Sequence, residues 1–166
     1  MSNKTPEQRA EEIVNTHFDN RLTAEEHAIA VKIPKEIFYS PEAEALSFET
    51  WREQITQFDQ DLQTRLSQAD TPEQRATLRF GYLFLQQIAD EAAGEIFGKP
   101  REGLIYLEHG IKHAQAFLKK GETASVVREQ VLSLYSNAGV AWGKQGQVDK
   151  EIDTYQQGLK HAEAFF

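Results

Sequence analysis

His109 and His113 stand four residues apart, which places two imidazoles on one helical face at the spacing that lets them share a metal ion. Glu108 adjoins His109 in sequence, but a helix turns it elsewhere. No Glu stands three residues before any histidine, so the Glu-x-x-His ligands of di-iron bundles are absent. The chain has no cysteine, which excludes a disulfide framework, thiol catalysis and every Cys-ligated metal. Lys119, Lys120 and Gly121 follow His113 too late to share its turn, so a phosphotransfer histidine is not supported. Phosphate-cradling glycine loops and the Gly-x-Ser-x-Gly nucleophile elbow are also missing. A helical metal-binding protein or enzyme built on His109 and His113 therefore stands only as an alternative reading. The leading expectation is a protein without catalytic residues, cofactor or bound metal.

The 166 residues suit a single domain with a substantial core. Eighteen basic residues against 26 acidic ones give a net charge of −8, which repels phosphate backbones and anionic lipid. Nucleic-acid and membrane partners are thus not expected. The apolar runs are too short to span a bilayer, and no apolar stretch follows MSNKTPEQRAEE, so the expected location is cytoplasmic.

The elements that must position any site are helices. Thr5-Pro6-Glu7-Gln8 and Thr71-Pro72-Glu73-Gln74 each offer a Thr N-cap, a first-turn proline and a Gln three residues on. Thr23-Ala24-Glu25-Glu26 and Ser40-Pro41-Glu42 read as further starts, and Pro34 as a break. Phe48, Trp51, Ile55, Phe58, Leu62 and Leu66 form one stripe at helical spacing. So do Val127, Val131, Leu134, Ala138 and Ala141, and Val148, Ile152, Tyr155, Leu159 and Ala162. The expected fold is all-α: an antiparallel stack of helical hairpins, with about seven helices near 6–21, 24–32, 42–69, 73–97, 101–118, 123–144 and 147–165. Residues 1–70 form an N-terminal helical segment of the same domain.

The second half contains a repeat. Ala93–Lys99 matches Ala138–Lys144 at an offset of 45, and Leu107–Phe117 matches Tyr155–Phe165 at an offset of 48. Ten of these eighteen pairs are identical, well beyond chance, and the three-residue difference is assigned to the intervening turn. Gly94 and Gly139 are expected to admit a crossing helix, with Phe97 and Trp142 filling the space beside it. Gly110 and Gly158 are the expected gaps on the second helices, with Ile111 and Leu159 pointing inward beside them.

Gly139, Trp142, Gly146, Tyr155, Gly158 and Leu159 fall where tetratricopeptide repeats carry their small, aromatic and turn residues, and the segment 84–165 resembles that family in a longer-repeat form. Glu151 departs from the family's usual alanine, and the first unit lacks the turn glycine, having Pro100-Arg101 instead, with Leu107 in place of the aromatic. The resemblance implies units at 84–118 and 123–166, with a concave groove between the helices at 73–97 and 123–144. It places Ser133, Ser136, Asn137, Val140 and Lys144 in that groove from the second unit, and Ile88, Glu91, Glu95 and Lys99 from the first. Asn137 carries the donor and acceptor that an extended peptide needs, and Lys144 and Lys99 are suited to a carboxylate.

The sequence closes on Ala164-Phe165-Phe166, and Phe165 and Phe166 are expected either to fold back onto Tyr155 and Trp142 or to serve self-association into a homo-oligomer. The function expected is a protein–protein interaction module, adaptor- or chaperone-like, that takes a peptide or helix of a partner. A peptide-sensing regulatory domain is the third reading.

Overall fold

The computed structural model describes residues 4–37 and 47–166, which hold seven α-helices and no strand. They are α1 (Pro6–Phe18), α2 (Ala24–Ile37), α3 (Phe48–Ser67), α4 (Pro72–Glu95), α5 (Pro100–Lys119), α6 (Ser125–Lys144) and α7 (Val148–Phe165). The all-α expectation holds. Thr5 and Thr71 each accept from the backbone N–H of the Gln three residues on, whose side chain reciprocates, so both capping boxes form. Thr23 and Glu26 exchange the same pair of bonds.

Several boundaries differ from expectation. Helix α1 stops at Phe18 because Asp19 and Asn20 turn left-handed, with φ of 46° and 61°. Pro34 does not end α2, which runs on to Ile37. The hydrogen bond that proline forfeits is offset by burial of Ile33, Pro34 and Ile37. Helix α3 starts at Phe48 under a Ser47 cap rather than at residue 42; the expected Ser40-Pro41-Glu42 start lies outside the described residues.

Helix α4 is the hub. It packs against α2, α3, α5 and α6, and all twelve residues from Leu78 to Ala89 are buried. The α1–α2 hairpin lies against it through Ile29, Ile33 and Phe18, whose ring meets Phe80 and Phe84 edge-on at 5.4 and 5.3 Å. On the α3 side Trp51 is buried, and its indole N–H donates to the Ile37 carbonyl at 3.4 Å. Phe97 fills space beside this ring, 5.1 Å away, rather than beside a crossing at Gly94.

The two hairpins α4–α5 and α6–α7 repeat at an offset close to 48 throughout. Helices α5 and α7 start at Pro100 and Val148, and the turns before them both hold a left-handed glycine, Gly98 at φ 63° and Gly146 at φ 75°. Gly98 is thus the turn glycine that the sequence pattern hides in the first unit, and there is no three-residue insertion. The match at offset 45 pairs residues that are not equivalent. Gly94 sits one residue from the end of α4, and a β-carbon there would meet nothing within 4 Å. That overturns the close crossing expected at Gly94. Gly139 does admit a neighbour, since a β-carbon there would fall against the Tyr155 ring of α7. Gly110 and Gly158 behave as the repeat requires: their β-carbons would lie 3.1 Å from the Gln86 β-carbon and 2.9 Å from the Tyr135 β-carbon.

Helical propensity and packing therefore separate at the two glycines. Gly94→Ala is expected to stabilise the protein by about 0.5 kcal/mol, helical preference acting alone. Gly139→Ala is expected to destabilise it by about 1–2 kcal/mol through overpacking. Adding Tyr155→Ala to Gly139→Ala removes most of that overpacking cost. Thermal and urea denaturation followed by circular dichroism check all three values.

Candidate functional site

The apolar stripe Val127, Val131, Leu134 and Ala138 fixes which way α6 faces, because all four residues are buried against the hub. Ser136, Asn137, Val140 and Lys144 are left exposed on the opposite side, with Ser133 half-buried. After Ala89 helix α4 keeps Ala92 and Ala93 buried but turns Asp90, Glu91 and Glu95 partly or fully out of the core beside that face. Two adjoining concavities, of about 300 and 420 Å³, run between these helices and share Glu91 and Asn137. The first holds Ser133 and Ser136, and the second Glu95, Val140 and Lys144. Ile88 lies in the floor, fully buried, so it offers shape rather than an exposed contact. Lys99 is not in the groove: it lies in the α4–α5 turn with its ammonium 5.2 Å above the Phe48 ring.

Polar side chains on the hub hold the groove in shape. The Asn137 amide donates to Gln87 Oε1 at 2.8 Å, and the Gln87 amide in turn donates to Gln130. This leaves Asn137 its carbonyl oxygen and one N–H. The far wall comes from the end of α1, where Arg21 donates to Glu129 of α6 at 2.6 Å and His17 lies edge-on to Phe84. Sequence reasoning missed His17, Arg21, Gln87 and Asp90. For Gln87 and Asp90 a signal existed, since they are polar interruptions in an otherwise apolar helix beside Glu91. Nothing local ties His17 or Arg21 to a site more than sixty residues away.

The groove carries unbalanced negative charge. Burial raises the Asp90 carboxyl to about 6, and neighbouring Glu91 adds to this, while Lys144 opposes it. Glu91 is raised by burial and by Glu95, against the pull of His17. Neither carboxylate makes a hydrogen bond or close ion pair among the described residues.

His109 and His113 belong to a different feature. Their rings are neighbours at 4.6 Å, and Nε2 of His109 faces inward, 2.7 Å from the Tyr82 hydroxyl and 3.3 Å from Asp59. Asp59 also accepts from Gln63 at 2.5 Å and Gln86 at 2.9 Å. Burial pushes its carboxyl up, yet the hydrogen bonds from His109, Gln63, Tyr82 and Gln86 outweigh burial and hold it below the usual value. Burial, with help from His109, lowers His113. This network ties α3, α4 and α5 together. Among the described residues no group of three or more His, Asp or Glu is arranged to hold a metal.

A wider crevice of about 630 Å³ opens between α2, α3 and α4 over Ile29 and Leu78. None of the residues expected at a site lies there, and among the described residues no side-chain hydrogen bond fixes the rim residues Glu25, Arg65 and Gln68. Compared with protein-family models, curated proteins and solved structures, the chain matches none.

The Asp90 shift has a definite sign. A carboxyl raised to about 6 in the folded state binds its proton more tightly than in the unfolded chain, so it costs stability as pH rises from about 4 to 6. Asp90→Asn is expected to raise the melting temperature by roughly 2–4 °C at pH 7.5. At pH 4 the variant and the native protein should melt together, which calorimetry at the two pH values checks.

Proposed function

We propose that this protein is a tetratricopeptide-like interaction module that binds a basic segment of a partner protein, extended or helical, in the groove between α4 and α6. The observation that carries the reading is the pair of unpartnered, half-buried carboxylates Asp90 and Glu91 beside the fixed amide of Asn137. A lysine or arginine entering there relieves an electrostatic penalty already present in the free protein. Asn137, Ser133 and Ser136 supply donors and acceptors for a backbone, and Val140 supplies an apolar contact. Glu95 and Lys144 border the second concavity, and its charge favours a cation over the carboxylate that Lys144 alone suggests. The groove works by shape, hydrogen bonding and charge, as an adaptor or chaperone-like protein does, with no reaction performed. Membrane insertion has no support from the described helices, none of which is long and apolar enough to cross a bilayer.

Selection of random twelve-residue peptides on the purified protein tests this. Recovered binders should be enriched in Lys or Arg and should lose at least tenfold in affinity to Glu91→Gln and to Asn137→Ala. Binding should also weaken as pH falls through about 6, because protonating Asp90 removes the charge that attracts the ligand. Binders without basic residues, or binders indifferent to both substitutions, would contradict the proposal.

A further inference from the structure

Arg21 follows the left-handed Asp19–Asn20 turn at the end of α1 and lines the first concavity of the groove. Its Nε donates to the Phe18 carbonyl at 3.0 Å and its Nη2 to the His17 carbonyl at 3.4 Å, which caps the open C-terminus of α1. Nη1 crosses to α6 and donates to Glu129 at 2.6 Å. The two side chains are 54% and 43% exposed, and an ion pair so open to water adds little to stability. Arg128, next to Glu129 in sequence, leaves α6 on another side, with its guanidinium 4.9 Å over the Phe165 ring. Phe165 folds back there, against His161 rather than onto Tyr155 and Trp142. The cation that answers Glu129 is therefore Arg21.

Glu129 belongs to the groove as much as Asp90 and Glu91 do. It opens the row Glu129, Ser133, Asn137, Val140 and Lys144, whose steps of 4, 4, 3 and 4 keep it on one face of α6. Asn137 comes eight residues after Glu129, about 12 Å along the helix at about 1.5 Å per residue. Asn137 and Glu91 border both concavities, and Asp90 lies in the second. The groove thus offers two places for a cation. One, at Asp90 and Glu91, is unpartnered; the other, at Glu129, already holds a guanidinium of the same chain.

We propose that Glu129 is a second cation-binding residue of the groove, and that Arg21 occupies it in the free protein in place of a basic side chain of the partner. This rests on the reading of the groove as a site for a basic segment. On binding, the partner's lysine or arginine takes the Glu129 carboxylate, while Arg21 keeps its bonds to the two α1 carbonyls. Neither cation is left without an acceptor. The partner class narrows to segments with two basic residues about 12 Å apart. In an extended segment, at about 3.3 Å per residue, they stand about three or four residues apart, and in a helical one about eight. Because one ion pair breaks for the one that forms, Arg21 also holds the affinity down.

Calorimetric titration of the full chain with the twelve-residue peptides recovered on it is the test. Binders should carry two basic residues at one of these separations. Arg21→Gln should tighten them roughly threefold, and Arg21→Gln with Glu129→Gln should lose that gain. Replacing the second basic residue of a peptide by Gln should weaken its binding to the native chain and leave its binding to Glu129→Gln unchanged. Lys35→Gln removes an equal charge and a comparable exposed pair, Lys35–Glu7 at 2.7 Å, and should not alter affinity. If the Arg21–Glu129 pair only fastens the end of α1 to α6, Arg21→Gln loosens a wall of the groove and weakens binding. That result, an unchanged affinity, or binders with a single basic residue would overturn the proposal, and the groove reading would stand as long as Glu91→Gln still costs affinity. Binding indifferent to Glu91→Gln and Asn137→Ala would contradict the groove reading, and the proposal with it.

Discussion

Helix α4 has no solvent face for twelve consecutive residues, and the rest of the fold answers to that constraint. A helix enclosed on every side must be apolar or have each polar group met by a neighbour, since a buried orphan costs about 1–3 kcal/mol. Arg79, Gln86 and Gln87 are buried polar residues of this stretch, and each bonds a different helix or loop, although Arg79 Nε and Gln86 Oε1 stay buried without a hydrogen-bond partner among the described residues. Arg79 pairs at 3.0 Å with Glu122, both side chains about 10% exposed, and Glu122 also accepts the N–H groups of Thr123 and Ala124 at the entry to α6. Gln86 reaches Asp59 on α3, and Gln87 reaches α6. Apolar packing decides that the helices gather round α4, and these bonds select the register in which they do so.

The groove follows from the same constraint at the point where it relaxes. Beyond Ala89 only one side of the hub stays covered, through Ala92 and Ala93, and the other side turns out the acids Asp90 and Glu91. Burial raises both carboxyls, and Glu91 beside Asp90 and Glu95 beside Glu91 add to it, so the pair carries an electrostatic cost that the fold does not remove. That cost, kept at a concave surface, is the physical basis of the cationic partner proposed for the groove. The Gln87–Asn137 bond links this open end to the buried stretch, so the geometry of the groove is set by the core.

Much of this was legible in the sequence, and the misses have physical causes. The capping boxes at Thr5 and Thr71 are local and read directly. The face of α6 was legible because its buried stripe is regular. Periodicity groups Val148, Ile152, Tyr155 and Leu159 on one face but not what covers it: Tyr155 lies over Gly139 of α6, while Val148, Ile152 and Leu159 stay exposed within the described chain, Leu159 facing solvent rather than inward. Identity between Gly94 and Gly139 suggested equivalent crossings, yet one glycine lies near a helix end and the other against Tyr155. The turn glycine Gly98 was hidden because matching Ala-Gly dipeptides pulled the alignment three residues out of register. His109 and His113 looked like a ligand pair, while the carboxylate that engages His109 lies fifty residues away on α3.

Native-state hydrogen exchange resolved by residue tests the enclosed hub most directly. If α4 is the element around which the others gather, the amides of 78–89 exchange only through global unfolding, while those of α7, held by one neighbour, exchange through a smaller opening of lower free energy. Amides of 78–89 that exchange as readily as those of α7, or before them, would contradict the account.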